Sequence, residues 1–78
     1  MPEFVTYFDE AVLNGLLSLA SDPLASAGVR RDAAQALGQL GRTDEVVLNG
    51  LLSLASDPKV SDLVRSAAAQ ALGQLLGG

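Results

Sequence analysis

The sequence predicts an all-α fold made of two copies of one helical unit. The chain has 78 residues, and the stretch LNGLLSLASDP occurs in it twice, at residues 13–23 and 48–58. When residues 9–40 are aligned with residues 44–75, at a spacing of 35, 25 of 32 positions are identical. A repeat period of about 20 to 50 residues is typical of a solenoid, in which similar units stack side by side. No segment has the alternating pattern of a strand.

The first segment of each unit has the periodicity of an amphipathic helix. In the first copy its apolar residues recur at spacings of three and four, at Leu13, Leu16, Leu17 and Ala20. Asp9 is predicted to be the N-cap, and Asp22 with Pro23 is predicted to mark the end of the helix. Residues 44–56 repeat this pattern and predict the third helix of the chain.

The second segment of each unit is also predicted to be a helix, rich in helix-favouring alanine. Its apolar stripe consists of Val29, Ala33, Ala36, Leu37 and Leu40, and in the second copy of Val64, Ala68, Ala71, Leu72 and Leu75. The helix could begin directly at the Asp-Pro pair. A turn followed by an N-cap at Ser26 or Ser61 is favoured, because Leu24 and Leu63 lie off the apolar stripe. Gly41 and Gly77 are expected to be C-caps.

The residue types in the chain exclude most catalytic chemistry. Cysteine and histidine are both missing from the sequence, so thiolate ligands, cysteine nucleophiles and histidine bases are excluded. The serines have no evident base as partner. The acidic pairs Asp9–Glu10 and Asp44–Glu45 precede predicted helices, and neighbouring side chains on a helix diverge, which favours capping over acid–base catalysis. We expect no enzymatic activity, no cofactor and no bound metal.

Charge and hydropathy restrict the partners. The net charge of −4 has the wrong sign for a protein that neutralises phosphates, so we expect no binding to nucleic acid. The apolar runs are far shorter than the roughly 18 to 20 residues that span a bilayer, so we expect no membrane segment. The N-terminal stretch MPEFVTYFDE lacks the pattern of a secretory signal, which makes the cytoplasm the expected location.

The stretches SDPLASAGVRRDAAQALGQLG and SDPKVSDLVRSAAAQALGQL resemble the second helix of short bacterial HEAT-like repeats of the PBS-lyase type. In that family the pattern runs roughly Asp-Pro-x-Val-Arg-x-x-Ala-Ala-x-Ala-Leu-Gly-x-Leu-Gly. The matching residues are Asp22, Pro23, Val29, Arg30, Ala33, Ala34, Ala36, Leu37, Gly38, Leu40 and Gly41, then Asp57, Pro58, Val64, Arg65, Ala68, Ala69, Ala71, Leu72, Gly73 and Leu75. Both copies depart from the pattern by four extra residues between proline and valine.

The resemblance implies two helix-turn-helix repeats, at residues 9–43 and 44–78, stacked as a short α-solenoid of four helices. A tetratricopeptide array, with its period of about 34 residues, is the nearest rival. Its aromatic positions are empty in both units, because every aromatic residue of the chain precedes Asp9. Residues 1–8, which include Phe4, Tyr7 and Phe8, are either an N-terminal cap or residues left by an expression vector.

The end of the second repeat predicts self-association. Stacked repeats usually need about three units with polar ends, whereas this chain has two units and ends in apolar residues. The chain is therefore either a fragment of a longer array or a homo-oligomer, most simply a two-fold dimer. The residues predicted to make the contact are Val64, Ala68, Leu72, Leu75 and Leu76.

A second surface is predicted from the resemblance, because the second helix of each HEAT-like repeat lines the concave face of the array. The polar residues predicted to bind another protein there are Arg30, Gln35, Gln39, Arg65, Gln70 and Gln74. Each glutamine pair has the i, i+4 spacing that places both amides on one helix face. The alternatives are ordinary solvated side chains, or arginines that cap helices and bridge neighbouring repeats.

These observations predict a non-enzymatic module for protein–protein interaction or self-assembly. One alternative is a designed or excised structural fragment without a ligand. Another is an accessory domain of a HEAT-like lyase or nucleic-acid enzyme. The identity between the copies fits either recent duplication or consensus engineering.

Overall fold

The computed structural model describes the backbone of residues 2–77 and the side chains of residues 10–77. This part of the chain folds into four α-helices without any strand: α1 (Pro2–Ser21), α2 (Ala27–Leu40), α3 (Glu45–Ser56) and α4 (Asp62–Gly77). The all-α prediction and the order of helices within each repeat are confirmed.

The turn inside each repeat is built by side chains that bond to nearby backbone groups. The Asp22 carboxylate accepts a hydrogen bond from the Leu24 N–H at 2.9 Å, and the Ser26 hydroxyl accepts one from the Val29 N–H at 3.2 Å. Asp57 and Ser61 make the equivalent bonds in the second repeat. The aspartate holds the turn and the serine caps the next helix, so the later start predicted for α2 and α4 is confirmed.

Two predicted caps at the ends of the chain are wrong. Asp9 lies inside α1, which begins at Pro2. Proline suits the first helical position, because it needs no hydrogen bond from its nitrogen, and no helix breaker follows between Glu3 and Asp9. Gly77 belongs to α4 and keeps the right-handed backbone, which glycine adopts as readily as the left-handed one. The predicted capping role of Phe4, Tyr7 and Phe8 concerns side chains outside the described ones.

The caps around the loop between the repeats follow the prediction in part. Gly41 has a φ of 74° and ends α2 in the left-handed conformation, as predicted. Asp44 occupies the N-cap position of α3, but its side chain makes no capping bond. Its carboxylate instead pairs with the Arg42 guanidinium at 3.2 Å.

The four helices form two layers, with α1 and α3 in one and α2 and α4 in the other. The contact between α2 and α4 is the most extensive in the fold, whereas α1 and α3 touch much less. Small residues allow this close approach, because a Cβ atom on Gly38 of α2 would lie only 2.9 Å from the Cα of Ala71 on α4. In the other layer, Gly50 of α3 receives the side chain of Leu17 from α1.

One hydrophobic core runs through both repeats. Its largest completely buried side chains are Leu37, Leu51 and Val64, which lie on α2, α3 and α4. Alanines of the α2–α4 layer fill the remaining space, and among the described residues no polar or charged side chain is buried. The core is therefore continuous across the two repeats.

Candidate interaction surfaces

The four predicted glutamines meet in one shallow groove between α2 and α4. Gln35 and Gln39 line one wall, Gln70 and Gln74 line the other, and the volume of the groove is about 220 Å³. All four side chains are exposed. We call this surface, formed by the four glutamines together with Ala67 and Ala71, the glutamine groove. Its lining contains no charged residue, so it offers amide donors and acceptors without an electrostatic preference.

The two predicted arginines lie apart from the glutamine groove. The Nε–H of Arg30 donates to the Ala20 carbonyl at 2.9 Å, and the Nε–H of Arg65 donates to the Ala55 carbonyl at 3.1 Å. These carbonyls belong to the last turns of α1 and α3, where a positive charge is favourable. Each bond joins the two helices of one repeat. The alternative prediction that the arginines cap helices fits this geometry. The prediction that they bridge neighbouring repeats does not.

The residues predicted for self-association divide into buried and exposed ones. Val64, Ala68 and Leu75 lie in the core of the chain, while Leu72 is partly buried and Leu76 is 69% exposed. The sequence predicts that these residues of the apolar stripe of α4 are available for contact with a second copy. The structure shows that α4 is covered along this stripe, so only Leu72 and Leu76 of the predicted set remain within reach of a second copy.

An uncovered face lies at the end of the stack, where residues of the second repeat are more exposed than the equivalent residues 35 positions earlier. Leu17, Ala34, Leu37 and Gly38 of the first repeat are more buried than their counterparts in the second repeat. The counterparts are Leu52, Ala69, Leu72 and Gly73, which we call the end face. Leu52 is 55% exposed, and a Cβ atom on Gly73 would meet nothing within 4 Å. Apart from Leu72, these residues are not among those predicted to make contacts, because the same residue types are buried at the equivalent positions of the first repeat.

The opposite end of the stack shows the converse pattern. Leu54, Val64, Ala67 and Leu75 of the second repeat are buried against the first. Their counterparts Leu19, Val29, Asp32 and Leu40 form what we call the start face. Val29, for example, is 42% exposed whereas Val64 is 0% exposed. In the sequence only Asp32 differs from its counterpart, whereas Leu19, Val29 and Leu40 have the same letters as buried residues and give no signal that they face outward.

Asp32 is the one charged residue of the start face. Its side chain is 66% exposed and pairs with the Arg31 guanidinium at 3.0 Å. Its counterpart Ala67 is only 3% exposed and lies in the glutamine groove. The first repeat therefore has a charged residue at a position that is buried in the second repeat by contact with its neighbour.

With cysteine and histidine absent from the sequence, carboxylates are the candidate metal ligands among the described residues. No group of three potential ligands that could hold a metal ion occurs among them. The acidic residues Glu10, Asp44 and Glu45 border an open depression that also contains Arg42, which neutralises part of their charge. Within residues 2–77, no helix combines the length and hydropathy required to cross a membrane.

Paired helices in two layers, repeated at a fixed spacing around a shared core, define a helical-repeat protein. The family model for HEAT repeats matches residues 6–73, so the chain belongs to the HEAT repeat family. Members of this family typically serve as non-catalytic scaffolds for protein interactions. Searches among curated proteins and solved structures found no significant match.

Proposed function

We propose that the chain is a non-catalytic HEAT-repeat module that binds another protein through the glutamine groove. The observation that carries this proposal is the convergence of four exposed amides, two from each repeat, on one depression. The groove is smaller than the roughly 300 to 1,000 Å³ pockets that enclose small molecules. A peptide segment is a better match, because side-chain amides both donate to and accept from a peptide backbone.

The two arginines have an indirect role in this proposal. Arg30 and Arg65 hold the ends of α1 and α3 through their Nε–H groups and so keep the two helices of each repeat in register. Replacing them would change stability and binding together. A test of binding therefore has to use the glutamines.

The test is selection of peptides from a displayed library, followed by affinity measurements on matched variants. The double variant Gln35→Glu with Gln70→Glu introduces two carboxylates into the groove and leaves peptide carbonyls facing acceptors. We expect selected peptides to bind it at least about tenfold more weakly, which corresponds to roughly 1.4 kcal/mol.

The control applies the same chemical change to the other layer, as Asn14→Asp with Asn49→Asp. Both asparagines are exposed and occupy equivalent positions on α1 and α3. Peptides should bind this control as they bind the unmodified chain. Equal losses of affinity in the two double variants would contradict a binding site in the groove.

A second candidate function, self-association, is favoured by the exposure of Leu52 and Leu76 at the end of the stack. Burial of exposed leucine side chains against another copy would contribute about 25 cal/mol per Å² of apolar area. A molar mass that stays at the monomer value of 8.0 kDa over a wide concentration range would contradict this second function.

A further inference from the structure

We propose that copies of the chain stack head to tail, with the end face of one copy on the start face of the next, and that Asp32 keeps this contact weak. The inference rests on the proposed self-association and specifies its geometry. It departs from the two-fold dimer that the sequence predicts.

The contact between the two repeats is a template for the proposed stack. Inside the chain, Leu17 packs over Gly50. The equivalent residues at the two ends are Leu52, which is exposed, and Gly15, beside which nothing lies within 4 Å. A head-to-tail neighbour would place Leu52 of one copy over Gly15 of the next in the same arrangement.

The α2–α4 layer offers the same match. Gly38 approaches Ala71 closely inside the chain. The corresponding pair across two copies is Gly73 with Ala36, and Gly73 is open to the space that a neighbour would occupy. Gly38 and Gly50 each accept a neighbouring helix inside the chain. Their equivalents, Gly73 at one end of the molecule and Gly15 at the other, are both open.

The apolar residues of the start face complete this match. Leu19, Val29 and Leu40 are exposed, and their counterparts in the second repeat are the same residue types buried by the first repeat. On a second copy, the end face would therefore contact the same residue types that the equivalent surface of the first repeat covers inside the chain. A two-fold dimer has no such template inside the chain, because it would place the end face against a second end face.

Asp32 is the charged mismatch on the start face. In the stack it would occupy the place of Ala67, which is almost completely buried and lies beside Gln35 and Gln39. Removing a carboxylate from water is unfavourable unless donors satisfy it. Gln70 and Gln74 of the neighbouring copy would supply amide donors there, so the contact is weakened without being abolished. Because a head-to-tail contact does not close on itself, this weakening also limits unbounded growth.

The test measures weight-average molar mass by light scattering across protein concentration. The unmodified chain should exceed the mass of a dimer as concentration rises, without a plateau. Asp32→Ala should give the same curve at concentrations at least about tenfold lower, since it removes the buried charge. Glu45→Ala changes the net charge equally at a position that is exposed in both repeats, as its counterpart Glu10 shows, and should leave the curve unchanged.

A second variant blocks the contact without damaging the fold. Gly73→Ala adds a methyl group in open space within the chain, but in the stack this group would meet the α2 backbone of the neighbour, as Gly38 meets Ala71. This variant should remain monomeric while melting at the same or a higher temperature. Gly28→Ala also fills open space on a helix and should associate like the unmodified chain.

Several outcomes would overturn the proposal. A plateau at twice the monomer mass would leave self-association standing and eliminate the head-to-tail geometry. Normal association of Gly73→Ala, or an unchanged curve for Asp32→Ala, would have the same consequence. A strict monomer for every variant would refute self-association altogether, and it would leave peptide binding by the glutamine groove unaffected.

Discussion

Gly38 and Gly73 occupy equivalent positions in the two repeats, but only Gly38 faces a neighbouring helix. At Gly38 the missing side chain lets α2 approach Ala71 of α4, whereas the space around Gly73 is open. Identical letters therefore have different structural roles. A substitution at each position therefore tests whether the neighbouring helix requires a glycine there.

We expect opposite effects when each glycine is replaced by alanine. Gly38→Ala should lower the free energy of unfolding by about 1–3 kcal/mol, because the new methyl group would collide with backbone. Gly73→Ala should raise it by about 0.5–1 kcal/mol, because alanine loses less entropy than glycine in a helix. Urea unfolding followed by circular dichroism, at a concentration that keeps the chain monomeric, checks both values. Equal changes in the two variants would contradict the packing described for α2 and α4.

At the scale of single elements, the start of each second helix is determined by local hydrogen bonds. The Asx-type turn at Asp57 and the cap at Ser61 involve partners two and three residues away, so they could be predicted from the sequence. The long α1 could not be predicted in the same way. Asp9 is a favourable cap residue, but a helix that already runs from Pro2 has no need of one there.

The cap at Ser61 is expected to stabilise α4 measurably. Ser61→Ala removes the acceptor for the Val64 N–H and should lower the free energy of unfolding by about 1 kcal/mol. Ser66→Ala is the matched control, because Ser66 is exposed in the interior of the same helix, where alanine is favourable. It should be neutral or slightly stabilising in the same chemical unfolding experiment. A loss at Ser66 as large as that at Ser61 would argue against the cap.

At the scale of the whole molecule, the two repeats share one core and are expected to unfold together. Val64 of the second repeat is buried by the first, and the contact between α2 and α4 is the most extensive one in the fold. A chain of this size is expected to be only marginally stable. Loss of part of this contact should therefore destabilise both repeats.

Val64→Ala tests this cooperativity. It should lower the free energy of unfolding by about 1–2 kcal/mol, as lost methyl groups outweigh the gain in helix propensity. Hydrogen exchange should show reduced protection in α1 and α2 as well as in α3 and α4. Val29→Ala, at the exposed equivalent position, should change protection little. Loss of protection confined to the second repeat would mean that the repeats unfold independently.

The helices, their order and the turns within each repeat follow from the amino-acid sequence alone, because these depend on periodicity and on hydrogen bonds between near neighbours. The sequence also indicated that the four glutamines of α2 and α4 would share a surface. Which copy of a repeated residue is buried could be read only from the packing of the helices: Leu17 is more buried than Leu52, and Val64 is more buried than Val29. The physical reason is that burial depends on the neighbour that a residue faces, and the two identical letters face different neighbours at the two ends of a stack.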